Sequence, residues 1–478
     1  MKKFIRYIYS FSMLLITLLS LVTDWYGPLT LILTVLVLVM TVDKMGKGIV
    51  LRESAAMLYV FTCLFMPLIG YIYYSFNNPL ARLWVKYMPV PEDVYFGFAL
   101  PAIAAFCFAL CIPLGITESE DEDKGMQKYI VRIKEIIAKK PTVGIYIIAI
   151  GLATSVFTNL LPGGLQFFAT LFFFAGFAGL LYLWYAPSFP YKNWAIGGFL
   201  LFIVANALST GMFTIVAYMG ITIFSFFLLG RKTSLLKKLI LSLIAIAFLL
   251  VLQNTKGQYR RYTWISTYEG NTALLFGKLF WENLQRGEEL LSVKAVFPVY
   301  VRTNQGFNVA LVMRRIPNYQ AHDNGENLFI AFASSLVPRF LWSDKPEAGG
   351  KFNMKYYTGI NLVGGWSTNI GPLGEAYGAF GVAGGILYMF LLGVFIRWSY
   401  KKVFDLGYKL PLLICWIPVL FYQVIYSGET DTLQIMNALF KTTFFMILIY
   451  RFIPSWFGIY RQKRYRKTKA PVAVVHAQ

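Results

Sequence analysis

The chain has 478 residues, of which 57% are apolar, 18% aromatic and only 14% charged. That balance excludes a soluble globule, because long uncharged apolar runs recur and about 20 such residues cross a bilayer as a helix. The net charge of +21 is carried mostly by short loops between those runs, as insertion into a membrane requires, which argues against a nucleic-acid-binding surface.

Taken in order, Met1-Lys2-Lys3 ahead of an apolar run has the outline of a signal peptide. The run ends in Ser20-Leu21-Val22 rather than a small-residue cleavage site, so it is read as the first transmembrane helix. Hydropathy predicts helices at roughly 4–22, 27–42, 54–75, 94–115, 143–160, 166–186, 194–208, 212–230, 239–253, 373–396, 410–427 and 434–455. The expected fold is an all-α polytopic membrane protein of about 12 transmembrane helices with one long, partly helical extracytoplasmic loop. It divides into helices 1 to 9 (1–253), the outer loop (254–372), helices 10 to 12 (373–455) and a basic tail (456–478). With the N-terminus in the cytoplasm, the inside segments hold 28 Lys and Arg and the short outside loops only Arg82 and Lys86. Both termini are therefore expected inside. Cys63, Cys107, Cys111 and Cys415 all fall in apolar runs, so no disulfide framework is expected.

The inside loop Thr117 to Gly125 contains Asp121-x-Asp123, a metal-binding spacing in some soluble glycosyltransferases, but within a cluster of five acids solvated charge explains it. The tail segment Arg461 to Lys469 is polybasic, and attraction to anionic membrane lipids accounts for it. No internal repeat relates the two halves.

The polar interval from Asn254 to Glu375 holds seven Arg and six Lys against nine acids. Thr272 to Arg286 places Phe276, Leu279, Phe280 and Leu284 on one helical face, the pattern of a helix lying flat at the membrane interface. Leu328 to Val337 is apolar but too short to span, which fits an interfacial or re-entrant segment ended by Pro338. The candidate anion-binding residues are Arg260, Arg261, Arg302, Arg314, Arg315, Arg339 and Lys345. Arginine stays charged and grips phosphate with two parallel hydrogen bonds, so it can stabilise a departing diphosphate without a metal. Any single one of them equally fits lipid phosphate or a nearby acid. His322, beside Asp323 and Glu326, is a candidate general base. Glu375, where a glycine-rich turn enters an apolar run, is either a helix cap or a carboxylate that deprotonates an acceptor. Lys441, inside the last helix, faces the bundle or snorkels. No Ser-His-Asp order, Walker loop or zinc spacing occurs, and neither a metal nor a cofactor is expected.

Pro338 to Pro346 (P-R-F-L-W-x-x-K-P) and Gly371 to Gly381 (G-P-x-G-E-A-Y-G-x-F-G), set in this layout, resemble the O-antigen and exopolysaccharide repeat-unit polymerases of the Wzy type. The resemblance covers about 50 residues as motif and most of the chain as architecture. It implies a metal-independent, GT-C-like enzyme of the bacterial inner membrane that polymerises undecaprenyl-diphosphate-linked oligosaccharide units on the outer face. A chain-length regulator is a candidate partner. Family members often carry an arginine after a small-residue turn in a middle helix; here Ser209 to Thr214 has Met212 instead. That departure shifts the expected role toward Arg260 or Arg261. An O-antigen ligase and a polytopic lipid-glycan flippase or transporter remain as alternatives.

Overall fold

The computed structural model describes residues 2–112, 123–161, 163–210, 214–231, 234–265, 268–287, 289, 292–337, 341–342, 344–346, 349–363 and 368–460. Asp121, Met212, Arg339 and the basic tail from Arg461 lie outside the described residues. Among the described residues the regular structure is helical, with no strand. The helices that matter here are α1 (Lys2–Val22), α2 (Tyr26–Lys44), α3 (Leu51–Tyr73), α4 (Glu92–Cys111), α5 (Asp123–Ala138), α6 (Val143–Phe157), α7 (Gly163–Tyr185), α8 (Lys192–Thr210), α9 (Thr214–Leu228) and α10 (Leu235–Arg260). They continue with α11 (Thr272–Gln285), α12 (Val293–Thr303), α13 (Gly306–Arg315), α14 (Glu326–Leu336), α15 (Gly371–Gly407) and α16 (Thr432–Phe452).

Six helices among the described residues are long and apolar enough to cross a membrane: α2, α3, α4, α7 from Gln166, α15 and α16. The expected twelve are therefore met only in part among the described residues. The 15 residues of α6 span about 22 Å at 1.5 Å each, less than a hydrocarbon core of about 30 Å, and α6 meets α5 at an 85° bend. Within α1, α8 and α9 the apolar stretches that can be described are Tyr7–Val22, Lys192–Leu208 and Met219–Leu228. The run expected at 410–427 breaks into short turns at Pro411–Trp416, Ile417–Leu420 and Tyr422–Ile425, each of the first two started by a proline.

Small residues set the closest helix approaches, as packing within a membrane favours. A side chain at Gly144 or Gly179 would meet the other's carbonyl oxygen within 2.8–2.9 Å, so α6 and α7 cross there. Apolar on all sides, α4 is almost wholly buried and lies against α15, where Gly393 abuts Ala109 and the Phe106 carbonyl. The C-terminal carbonyls of α4 are gripped from three directions. Ser10 donates to Cys111 O (2.9 Å), Arg52 to Leu110 O (3.1 Å) and the fully buried Arg397 to Ile112 O (3.2 Å). Arg52 also covers the Tyr400 ring at 5.3 Å. Cations at a helix C-terminus complement its dipole.

The polar interval is not a lid over the helices. From Gly306 to Met313, α13 is buried in the main core, and Tyr300 of α12 stacks on Tyr74, just past the end of α3, at 4.4 Å. Part of the apolar face of α11 packs on α10. Phe276 meets Tyr259 (5.6 Å), Phe280 meets Phe248 (5.7 Å), and Asn283 donates to Thr255 Oγ1 (3.2 Å). The exposed apolar side chains of α11 are Leu274, Trp281 and Leu284. The short apolar helix α14 packs against α16 with Phe332 edge-on to Phe440.

Sidedness is testable at two exposed positions. A cysteine replacing Tyr319, 83% exposed, is expected to react with a membrane-impermeant thiol reagent in intact cells, while one replacing the exposed Gln127 reacts only after lysis. The reverse labelling would overturn the orientation.

Candidate functional site

The site forms where two helices are interrupted. At Gly381 (φ 67°, ψ −152°) α15 leaves helical geometry, a conformation that an L side chain resists. The break frees the carbonyls of the preceding turn, and the segment 322–324 takes them. His322 Nδ1 lies 3.0 Å from Tyr377 O and 3.2 Å from Gly378 O, while Asn324 N donates to Ala379 O (3.0 Å). Both ring partners are acceptors, so Nδ1 carries the proton and Nε2 keeps its lone pair. Asp323 accepts from Gly325 N (2.9 Å), Asn327 Nδ2 (2.7 Å) and the Tyr357 hydroxyl (2.7 Å), which fixes the turn.

Glu375, on the short half of α15, is 4% exposed and fully engaged. Oε1 accepts from Asn353 Nδ2 (2.9 Å), and Oε2 accepts from Thr432 N (2.9 Å) and Thr432 Oγ1 (2.5 Å). It therefore caps the first turn of α16 rather than its own helix. Beside it Asp431 is the N-cap residue of α16, accepting from Gln434 N (2.6 Å), Asn369 Nδ2 (2.7 Å) and Gly349 N (3.2 Å). Burial pushes the Asp431 carboxyl up, and these donors pull it back. Asn369 joins Asp431 to Asn308, whose Nδ2 donates to Asn369 O (2.8 Å) and to Gln305 Oε1 (3.1 Å); Gln305 Nε2 donates to Arg302 O (3.3 Å). A continuous polar network thus runs from the carboxylates to Arg302.

Arg302 ends α12 and donates to Glu429 Oε2 at 2.7 Å. Glu429 sits in the strap Ser427–Asp431 that links the broken segment to α16. Lys256 and Arg260, one turn apart on α10, are near enough to Arg302 for their charges to act on one another. Lys256 is 7% exposed. Arg302 thus pairs with the strap carboxylate, Lys256 lies within electrostatic reach of both, and Arg260 within reach of Lys256 and Arg302. No family model, curated protein or solved structure matches the chain.

Of the candidates read from sequence, the structure brings Arg260 and Arg302 together. Arg261 is exposed and opens a π turn, Arg261–Ile265, at the end of α10. Arg314 is exposed at the end of α13, and Arg315 donates to Gln320 Oε1 (3.1 Å) with its guanidinium against Gly359. Lys345 donates to Ser334 O (3.0 Å) and Val337 O (2.9 Å), capping α14. Lys441 lies over the Phe167 ring at 4.7 Å. Lys256, Glu429 and Asp431 were missed. Lys256 and Arg260 do show helical i, i+4 spacing, and Asp431-x-x-Gln434 is a capping pattern.

Burial, then Arg260 and Arg302, push the Lys256 ammonium down from 10.5 to about 7. Lys256 is therefore charged below that pH and neutral above it, and a bound anion favours the charged form. Inorganic diphosphate is expected to bind more weakly, relative to a Lys256→Arg variant, as pH rises from about 6 to 8. The difference should be roughly tenfold, one charge-assisted contact of about 1.5 kcal/mol. Parallel pH profiles in the two proteins would show that Lys256 does not meet the anion.

Proposed function

We propose that the chain is a membrane glycosyltransferase that polymerises undecaprenyl-diphosphate-linked oligosaccharide units on the outer face of the bacterial inner membrane. The observation that supports this reading is the electrostatically coupled set Lys256, Arg260 and Arg302, with Arg302 paired to Glu429 and a polar network running from the carboxylates to the Arg302 backbone carbonyl. Such a set suits a diphosphate, with Glu429 balancing Arg302 until the anion arrives. An acceptor hydroxyl oxygen attacks the anomeric carbon of the growing chain. The bond from that carbon to the diphosphate breaks, the electron pair leaves with the diphosphate, and the cations stabilise it. The acceptor proton passes to His322 Nε2, the lone-pair nitrogen of a ring oriented by two carbonyls. Glu375, buried and triply bonded, anchors α16 against α15.

A second reading is favoured by the two interrupted helices flanking buried carboxylates, an arrangement that transporters use at substrate sites. Purified protein incubated with lipid-linked repeat units separates the possibilities. A polymerase makes a ladder unaided, a ligase needs a lipid A core acceptor, and a transporter makes no ladder with either.

A further inference from the structure

Glu375 and Asp431 also line a cavity. Between α14, the segment 346–357, α15 and α16 is a cavity of about 30 Å³, room for about two water-sized groups. Its polar wall is Asn327, Asn353, Tyr357, Glu375 and Asp431. Its apolar lining includes Phe352, which is 45% exposed and stacked on Tyr356 (5.7 Å, 17°). No Lys or Arg is among the described lining residues.

We propose that this cavity is the acceptor-sugar subsite, holding the hydroxylated edge of a neutral pyranose while Phe352 covers its C–H face; this rests on the glycosyl-transfer reading above. A pyranose carries hydroxyls around its edge and C–H groups on its faces, and the cavity lining offers acceptors and amides together with an aromatic ring. Two carboxylates and no lining cation disfavour a phosphate, so the sugar and diphosphate ends of the lipid-linked units sort to different places. The volume admits one hydroxymethyl group or a pair of hydroxyls, which makes it a notch that reads an edge rather than a pocket that swallows a ring. Its wall also reaches the proposed base. Tyr357 and Asn327 both donate to Asp323, whose chain neighbour is His322, so a hydroxyl seated here lies beside the turn that orients the imidazole.

The test uses the full chain in detergent and the oligosaccharide released by mild acid from the source cell's lipid-linked unit, which lacks the diphosphate. Titration calorimetry is expected to detect binding at millimolar concentrations or below. Phe352→Ala and Asn327→Ala should each weaken it at least tenfold, while Arg302→Lys leaves it unchanged. In the ladder assay, Phe352→Ala should raise KM for an acceptor that cannot donate, with kcat within twofold of wild type. Phe352 is half exposed, so its truncation keeps the test open if Asn327→Ala disturbs the 322–327 turn. Absence of binding by the wild type, unchanged binding in Phe352→Ala, or equal loss in Arg302→Lys would overturn the subsite. A ladder with unaltered acceptor KM sinks the subsite and leaves the polymerase standing. Sugar binding of the expected pattern in a protein that makes no ladder does the opposite.

Discussion

Lysine in place of Arg302 is expected to reduce polymer formation by roughly 10²–10³, the loss of about 3–4 kcal/mol typical of a group that stabilises charge developing in the transition state. The substitution keeps the charge and the pairing with Glu429 but removes the planar fork that grips a diphosphate. If Arg302 served only its surface-edge pairing with Glu429, its side chain being 36% exposed, the change would be worth under about 1 kcal/mol. The two outcomes are therefore well separated. Protein abundance in the membrane, measured alongside, guards against a folding defect. Arg314→Lys, on an exposed side chain away from the strap, is expected to retain activity. Normal ladder length and yield from Arg302→Lys would move the diphosphate elsewhere.

The largest stability effect is expected at Glu375. Alanine there strands the buried Thr432 N, at roughly 1–3 kcal/mol, and takes one partner each from Asn353 Nδ2 and Thr432 Oγ1, which keep Asn369 Oδ1 and the Tyr388 hydroxyl. A net loss of about 1–3 kcal/mol is therefore expected, read as a lowered thermal unfolding midpoint in detergent. Glu375→Gln keeps an acceptor oxygen and should fall between. A midpoint unchanged in Glu375→Ala would mean that the junction of α15 with α16 does not depend on this carboxylate.

Much of the helical layout was legible because bilayer-scale apolar runs need no tertiary context to be recognised. The losses have particular causes. Polar residues in Asn254 to Arg261 suggested a loop, yet α10 runs on through Arg260, because Thr255, Lys256 and Tyr259 recur at helical spacing and are buried there. Gly306 to Met313 is apolar but too short to be recognised as core by length, and only the folded chain shows it inserted among the spans. Pro411 and Pro418 did signal the broken segment, but overall hydropathy outweighed them. At the site, the arginine-rich composition pointed to anion binding without saying which cations converge. Convergence depends on the strap, and the short turn carrying Glu429 and Asp431 drew no attention beside the long interval.

The clamp on the end of α4 has a consequence for biosynthesis. Arg397 reaches Ile112 across 285 residues of chain. At about 5–20 residues per second, roughly 15–60 s of translation separates the carbonyl from its guanidinium. Through that interval the early helices wait in the membrane with one side of their junction open, so the insertion machinery or a membrane chaperone has to shelter it. Chains that stop short of Arg397 never close the junction, which marks them for proteolysis rather than accumulation.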